Sequence, residues 1–332
     1  MSFSIVNELL LAVILGVIQG ITEFLPVSST AHLRLITGFL LEGKDIGLTT
    51  SNFIQFGTLI AILQYFKEDL KIYYKRIKQL VLSNDSRKEF LANFLSWWEA
   101  FNIESTSSKR RLKQVNELHI TNQTDLILSQ IIVGSMPLIL LGGLLQSLAN
   151  SNRSLDRIAW FLLIGSMLMY LGERIYKLAV NKSKPKVMSP SEVILIGLFQ
   201  SLAAFPGISR SGATISGALM LGRDRAQSVK FSFLLSIPAL TIISLIDLAK
   251  IILDLFGNGF NLLPTALSWS NQIYIHLSLV SLLVAFVIAY LVGLAVLRWL
   301  LRFLSTNTFL PFIIYRIALS LALFIVVFLQ LV

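Results

Sequence analysis

Five stretches of this chain, residues 126–149, 157–180, 231–256, 273–300 and 309–332, are apolar over the roughly 20 residues that a helix needs to cross a bilayer. Hydrocarbon offers backbone N–H and C=O groups no water to bond, so such stretches must close their hydrogen bonds internally, as helices. Residues 52–66 form a shorter candidate. The composition agrees: 55% of the 332 residues are hydrophobic and 14% charged, against about 25% charged in a soluble domain. The net charge of +10 could suggest nucleic acid. The basic residues instead gather between apolar runs, in 67–125, 174–186 and 223–230, as in cytoplasmic loops and headgroup contacts. No nucleic-acid partner is expected. The absence of cysteine removes disulfides, thiolate zinc sites and cysteine nucleophiles. The N-terminus lacks the basic start and small-residue cleavage site of a signal peptide, so the first apolar run is expected to stay in the mature protein.

Two other apolar runs, 9–25 and 191–205, end at Pro26 and Pro206 and lead into polar sequence. They read as half-helices that enter the membrane and turn back. The segments concerned are GVIQGITEFLPVSSTAH (16–32) and FPGISRSGATISG (205–217). Hydroxyls and ionisable groups at membrane depth mark a cavity or a site more often than packing.

The two segments are related. A constant offset of 181 pairs Gly16 with Gly197, Gln19 with Gln200, Phe24 with Phe205, Ser28 with Ser209 and Ser29 with Arg210. The same offset brings 51–57 onto 232–238. Two related halves, each with an interrupted segment, point to a site between them near the bilayer midplane.

Gln19 and Glu23, four apart, share a helix face. Pro26 stops that helix. Ser28, Ser29 and Thr30 supply hydroxyls where the next one begins, a position whose free N–H groups favour anions. His32 lies within a turn of them. The second segment repeats the device with Pro206, Gly207, Ser209, Ser211 and Gly212, and adds Arg210, which can grip two phosphate oxygens at once. Together these groups suit phosphoryl transfer: a serine attacks, a base takes its proton, and arginine with helix N-termini stabilises charge on the phosphoryl oxygens. Taken singly, Glu23 could be an ion-pair partner, His32 a packing residue and the serines a cap. Arg210 has no packing explanation of comparable weight. His119 and His276 read as surface groups, and Glu173 with Arg174 as a helix-end charge cluster.

Both segments closely resemble the signature motifs of the undecaprenyl-diphosphate phosphatase (bacitracin-resistance protein) family, as do FIQFG (53–57) and FSFLLSIP (231–238). The resemblance covers most of the chain except 67–125. It implies an all-α, polytopic integral membrane protein with two inverted repeats and re-entrant broken helices. The chain would be one membrane-embedded catalytic domain, with 67–125 a hydrophilic insertion between the repeats. The implied reaction removes the terminal phosphate of undecaprenyl diphosphate, which recycles the lipid carrier for peptidoglycan synthesis and confers bacitracin resistance. By motif position, Ser29 matches the nucleophile and His32 a base or a competing nucleophile. Glu23 matches the motif glutamate and a metal ligand, and Arg210 the phosphate-binding arginine. Gln19, Ser28, Thr30, Ser209, Ser211 and Gly212 match substrate-binding positions. A divalent cation, Mg2+ or Ca2+, is implied, as are contacts with membrane lipid. The implied location is the bacterial plasma (inner) membrane, with the site on its outer face. A homodimer is a further expectation.

One position departs from the family pattern: Gln19 stands where glutamate is common, so the motif keeps a single carboxylate. A glutamine cannot act as a base and is a weaker metal ligand. The rival reading is a lipid-carrier transporter or flippase, since inverted repeats and broken helices are also transporter architecture.

Overall fold

The computed structural model describes residues 5–41, 46–102, 123–150, 154–179, 187–257 and 277–329, with no strand among them. His119, His276 and the basic run 109–113 lie outside the described residues. Among the described residues, five helices are long and apolar enough to cross a membrane: Gln123–Leu141, Leu155–Leu178, Arg225–Ile246, Leu279–Thr306 and Leu310–Phe328. They coincide with the five apolar runs of the sequence, and the chain is a multi-pass, all-α membrane protein.

In chain order the helices are α1 (Ile5–Thr22), α2 (Ser29–Leu40), α3 (Gly47–Tyr65), α4 (Lys67–Leu82), α5 (Asn84–Asn102), α6 (Gln123–Asn150), α7 (Leu155–Ala179), α8 (Pro190–Ser201), α9 (Arg210–Met220), α10 (Arg225–Gly257), α11 (Leu279–Thr306) and α12 (Leu310–Phe328). A short 3-10 turn, Leu202–Ala204, extends α8. The 12-residue α2 and α8 and the 11-residue α9 reach only about 16–18 Å at 1.5 Å per residue. That is roughly half of a bilayer's hydrocarbon thickness. Each pairs with its neighbour through a tight turn, α1 with α2 and α8 with α9, as the breaks at Pro26 and Pro206 require.

The two hairpins are held by long helices. α1 and α3 pack on α11, α8 packs on α6, and α9 packs on α7 and α8, while α12 lies along α7. Gly16 and its offset partner Gly197 serve the same purpose: a Cβ on Gly16 would stand 2.6 Å from the Ala285 carbonyl, and one on Gly197 2.2 Å from that of Gly134. Only glycine lets the half-helix approach its partner's backbone this closely.

The hydrophilic stretch is not a detached loop. Residues 67–102 form the α4–α5 hairpin, and the hairpin is pinned to the body at two points. Arg76 Nε and Nη2 donate to the two oxygens of Asp125 at 2.7 and 2.8 Å. Arg76 Nη2 also donates to Glu89, and Asn93 donates to Asp125. The bond to Asp125 raises the guanidinium pKa above its ordinary value although burial opposes it. Trp97 is fully buried among Val133, Val193, Ile196 and Leu235, and its indole N–H donates to the Met188 carbonyl at 2.8 Å. A tryptophan inside a charged stretch reads from sequence as an exposed or interfacial residue. Its burial here follows from the apolar slot that α6, α8 and α10 leave open. Glu173 is also structural: it accepts from the backbone N–H of Phe309 at the start of α12 and pairs with Arg225.

Candidate active site

Ser28 and Ser209 hold the two turns. Each has a left-handed backbone, with φ of 74° and 73°, in a chain where the other positive φ values belong to glycine among the described residues. That conformation costs a non-glycine residue about 1–2 kcal/mol. Each serine recovers part of it as an N-cap, Ser28 Oγ accepting from the Ala31 N–H and Ser209 Oγ from the Gly212 N–H. Positions 181 apart thus share an unusual local geometry as well as a residue type. The turns adjoin, because a Cβ on Gly212 would lie 3.4 Å from Pro26 Cβ. The first residues of α2 and α9 are Ser29 and Arg210, so the strained caps project these two side chains from helix starts.

The carboxylate of Glu23 is where the segments meet. Its Oε1 accepts from Arg210 Nη2 at 2.7 Å and from Gln55 Nε2 at 2.8 Å. Its Oε2 accepts from Ser29 Oγ at 2.9 Å and from Gln19 Nε2 at 2.9 Å. Four donors fill about four lone-pair sites. Glu23 and Arg210 are mostly buried, with side-chain exposures of 7% and 19%. Arg210 Nη1 is buried with no hydrogen-bond partner among the described residues, which leaves one prong of the guanidinium for a ligand. Beside the pair lies a cavity of about 10 Å³, bounded by Ser211, Ser232 and Ser236 and walled by Phe24 and Phe233. That is room for about one water.

His32 is in the site but not beside Ser29 in the bonding network. Its Nδ1 is 2.8 Å from the Ser28 carbonyl and its Nε2 is 2.6 Å from the Tyr315 hydroxyl. Ser29 bonds Glu23 instead, so Glu23 and not His32 is placed to take the serine proton. Ser211 Oγ lies 3.3 Å from Ser209 Oγ. Thr30 sits half-buried on the first turn of α2 and is not among the groups bonded to Glu23.

Three contributors fall outside the motif residues named from sequence. Gln55 lies in FIQFG and reaches Glu23 from α3; a lone amide in an apolar stretch was its signal. Tyr315 carried no signal. Arg316 did, as the only charged residue in 309–332. It is fully buried and bonds the Pro26 carbonyl of one turn and the Gly207 and Ile208 carbonyls of the other. It also bonds Ser166 Oγ and the Leu162 carbonyl, so one guanidinium ties both turns to α7.

The second half lacks the carboxylate. The offset of 181 places Ala204 opposite Glu23, Ser236 opposite Gln55 and Ala213 opposite His32. Gln200, the partner of Gln19, is fully buried with both amide atoms unbonded among the described residues. The carboxylate and the hydroxyl bonded to it come from the first half, and the guanidinium comes from the second.

The described residues do not fit a protein-held divalent cation. No three His, Asp or Glu side chains cluster among them, and the one carboxylate is taken by four donors, one of them cationic. Gln19 contributes to this, since its NH2 occupies Glu23 Oε2 where a second carboxylate would leave space for a metal. Gln19→Glu should therefore create a cation site one helix turn from Glu23. The rate should then depend more steeply on Mg2+ or Ca2+ than in wild type, with little change at saturating metal. Superimposable metal curves would mean that position 19 does not govern cation binding.

A comparison with known families decides the relationship. The family described as "Bacitracin resistance protein BacA" matches residues 12–322. The chain belongs to this family. It is similar throughout to proteins named undecaprenyl-diphosphatase. It is 33% identical to that of Micrococcus luteus over 320 residues, 94% of this chain and 95% of the relative. Against the Prochlorococcus marinus (strain MIT 9215) protein the identity is 34% over 315 residues, 93% of this chain and 96% of the relative. The Nocardioides sp. protein is 32% identical over 324 residues, 96% of this chain and 97% of the relative. The family match spans the two turns that hold Glu23, Ser29 and Arg210.

Proposed function

We propose that this bacitracin-resistance family member hydrolyses undecaprenyl diphosphate to the monophosphate and inorganic phosphate. The observation that carries the reading is the convergence on Glu23 of a serine hydroxyl and an arginine from opposite halves of the chain. The related proteins carry the matching name, and a transport reading draws no such support.

In the proposed reaction the terminal phosphoryl group displaces Glu23 from Arg210, whose two prongs then face phosphate oxygens. The free N–H groups at the starts of α2 and α9 favour the same charge. Ser29 Oγ attacks the terminal phosphorus, its proton passes to Glu23 Oε2, and the bridging P–O bond breaks to release prenyl monophosphate. Water then attacks the phosphoserine. The Ser29 oxygen leaves with the proton held by Glu23; of the water's protons, one stays on the phosphate and one is released. All of these groups come from one chain, so the chemistry does not require a dimer, and no step uses a protein-held cation. The two halves act as an inverted repeat around the site. By family analogy the site serves the outer face of the bacterial plasma membrane.

Phosphate release by the purified protein from long and short prenyl diphosphates tests the reading; transport alone releases none. Arg210→Lys keeps the charge but loses the fork. It should lower turnover at least about tenfold, roughly 1.4 kcal/mol. Wild-type turnover in a folded Arg210→Lys protein would remove Arg210 from the phosphate-binding role.

A further inference from the structure

Tyr315 lies on α12, outside both motif segments, and its hydroxyl is 2.6 Å from His32 Nε2. The two rings are nearly parallel, 8° apart with centroids at 5.6 Å. The other ring nitrogen, Nδ1, is 2.8 Å from the Ser28 carbonyl. A carbonyl only accepts, so Nδ1 must carry the hydrogen. In the neutral ring Nε2 is then the lone-pair nitrogen, and the Tyr315 hydroxyl donates to it. The hydrogen positions follow from this bonding pattern.

The chain of bonds therefore runs from Tyr315 through His32 to the carbonyl of Ser28, the left-handed residue that precedes Ser29. On its other side Ser29 is fixed by its bond to Glu23. The neighbouring Arg316 holds the Pro26 carbonyl, two residues earlier in the same turn. One turn of α12 thus braces the nucleophile's backbone at two points.

We propose that Tyr315 is a positioning residue: its hydroxyl and ring fix the His32 imidazole against the Ser28 carbonyl and so hold the peptide that aims Ser29. This rests on the phosphatase reading for its kinetic consequence but not for its structural one. The strain at Ser28 gives the device a purpose, because a left-handed residue persists only where its surroundings over-determine it.

Tyr315→Phe keeps the stacked ring and deletes only the donor. Two measurements on the full-length protein in bilayers test it. The first is the side-chain nitrogen spectrum of isotope-labelled histidine; the chain holds three histidines, and His32→Gln assigns the relevant signal. His32 should be the Nδ1–H tautomer in both proteins, because the Ser28 carbonyl is unchanged, but its Nε2 signal should move in Tyr315→Phe as the bond from the hydroxyl is lost. The second is steady-state kinetics, where kcat should fall roughly tenfold while KM stays within about twofold, as expected for a lost orienting bond. A purely packing role leaves both measurements unchanged in Tyr315→Phe and overturns the proposal. A shifted Nε2 signal with unchanged kcat overturns the positioning role. An Nε2–H tautomer in wild type overturns the bond chain itself, without any variant needing to fold. A wild-type protein that releases no phosphate would overturn the kinetic claim and the phosphatase reading together, while the tautomer result would still decide the bond chain.

Discussion

Ser29→Ala is expected to lower turnover by a factor on the order of a thousand or more, with substrate binding retained. The size follows from the loss of the attacking group, since no other hydroxyl among the described residues bonds Glu23. Ser28 is adjacent but spends its hydroxyl on the Ala31 N–H, so Ser28→Ala should be milder, removing a cap worth about 1 kcal/mol. Retention of prenyl diphosphate binding, measured with the inactive protein, separates lost chemistry from lost fold. If Ser29→Ala keeps substantial turnover, the nucleophile is another group, and His32 is the candidate.

Glu23→Gln should cost roughly a hundredfold to ten-thousandfold in kcat, the usual range for a general base. The effect on KM discriminates between roles. Glu23 competes with substrate for Arg210, so neutralising it should leave KM unchanged or lower. If Glu23 served only to hold Arg210 in place, the same change would raise KM and spare kcat. Four hydrogen bonds converge on this carboxylate, and a glutamine there must turn an NH2 towards at least one of their donors. Some loss of stability is therefore expected alongside the kinetic change.

Much of this site was legible in the sequence because a membrane makes polar residues conspicuous. Arg210 and Glu23 stand out in apolar runs, and the spacing of Gln19 and Glu23 puts them on one face, where their side chains bond. The breaks at Pro26 and Pro206 mark where α1 and α8 end; α8 has the expected half length, whereas α1, at 18 residues, is longer than the half-helix expected over 9–25. What periodicity could not supply was the pairing between the two segments. Nothing in the local sequence says that Arg210 reaches Glu23 from 187 residues away, or that Ser29 turns to Glu23 rather than to the nearer-looking His32. Those follow from how two strained turns abut. Gln55 and Tyr315 were hidden for different reasons. Gln55 sits in a stretch noted for its offset partner and its family resemblance rather than for any single side chain, while tyrosine in an apolar helix is ordinary at a membrane interface. Trp97 shows the opposite failure, where charged neighbours masked a residue that belongs to the core.

The measurement closest to the central claim is a rapid-quench single turnover with prenyl diphosphate radiolabelled in its terminal phosphate, followed by peptide mapping. The account predicts transient label on the peptide that contains Ser29, stable to acid and labile to base, and no such label in Ser29→Ala. Acid-labile label on His32, or phosphate release with no covalent label at any time, would contradict it.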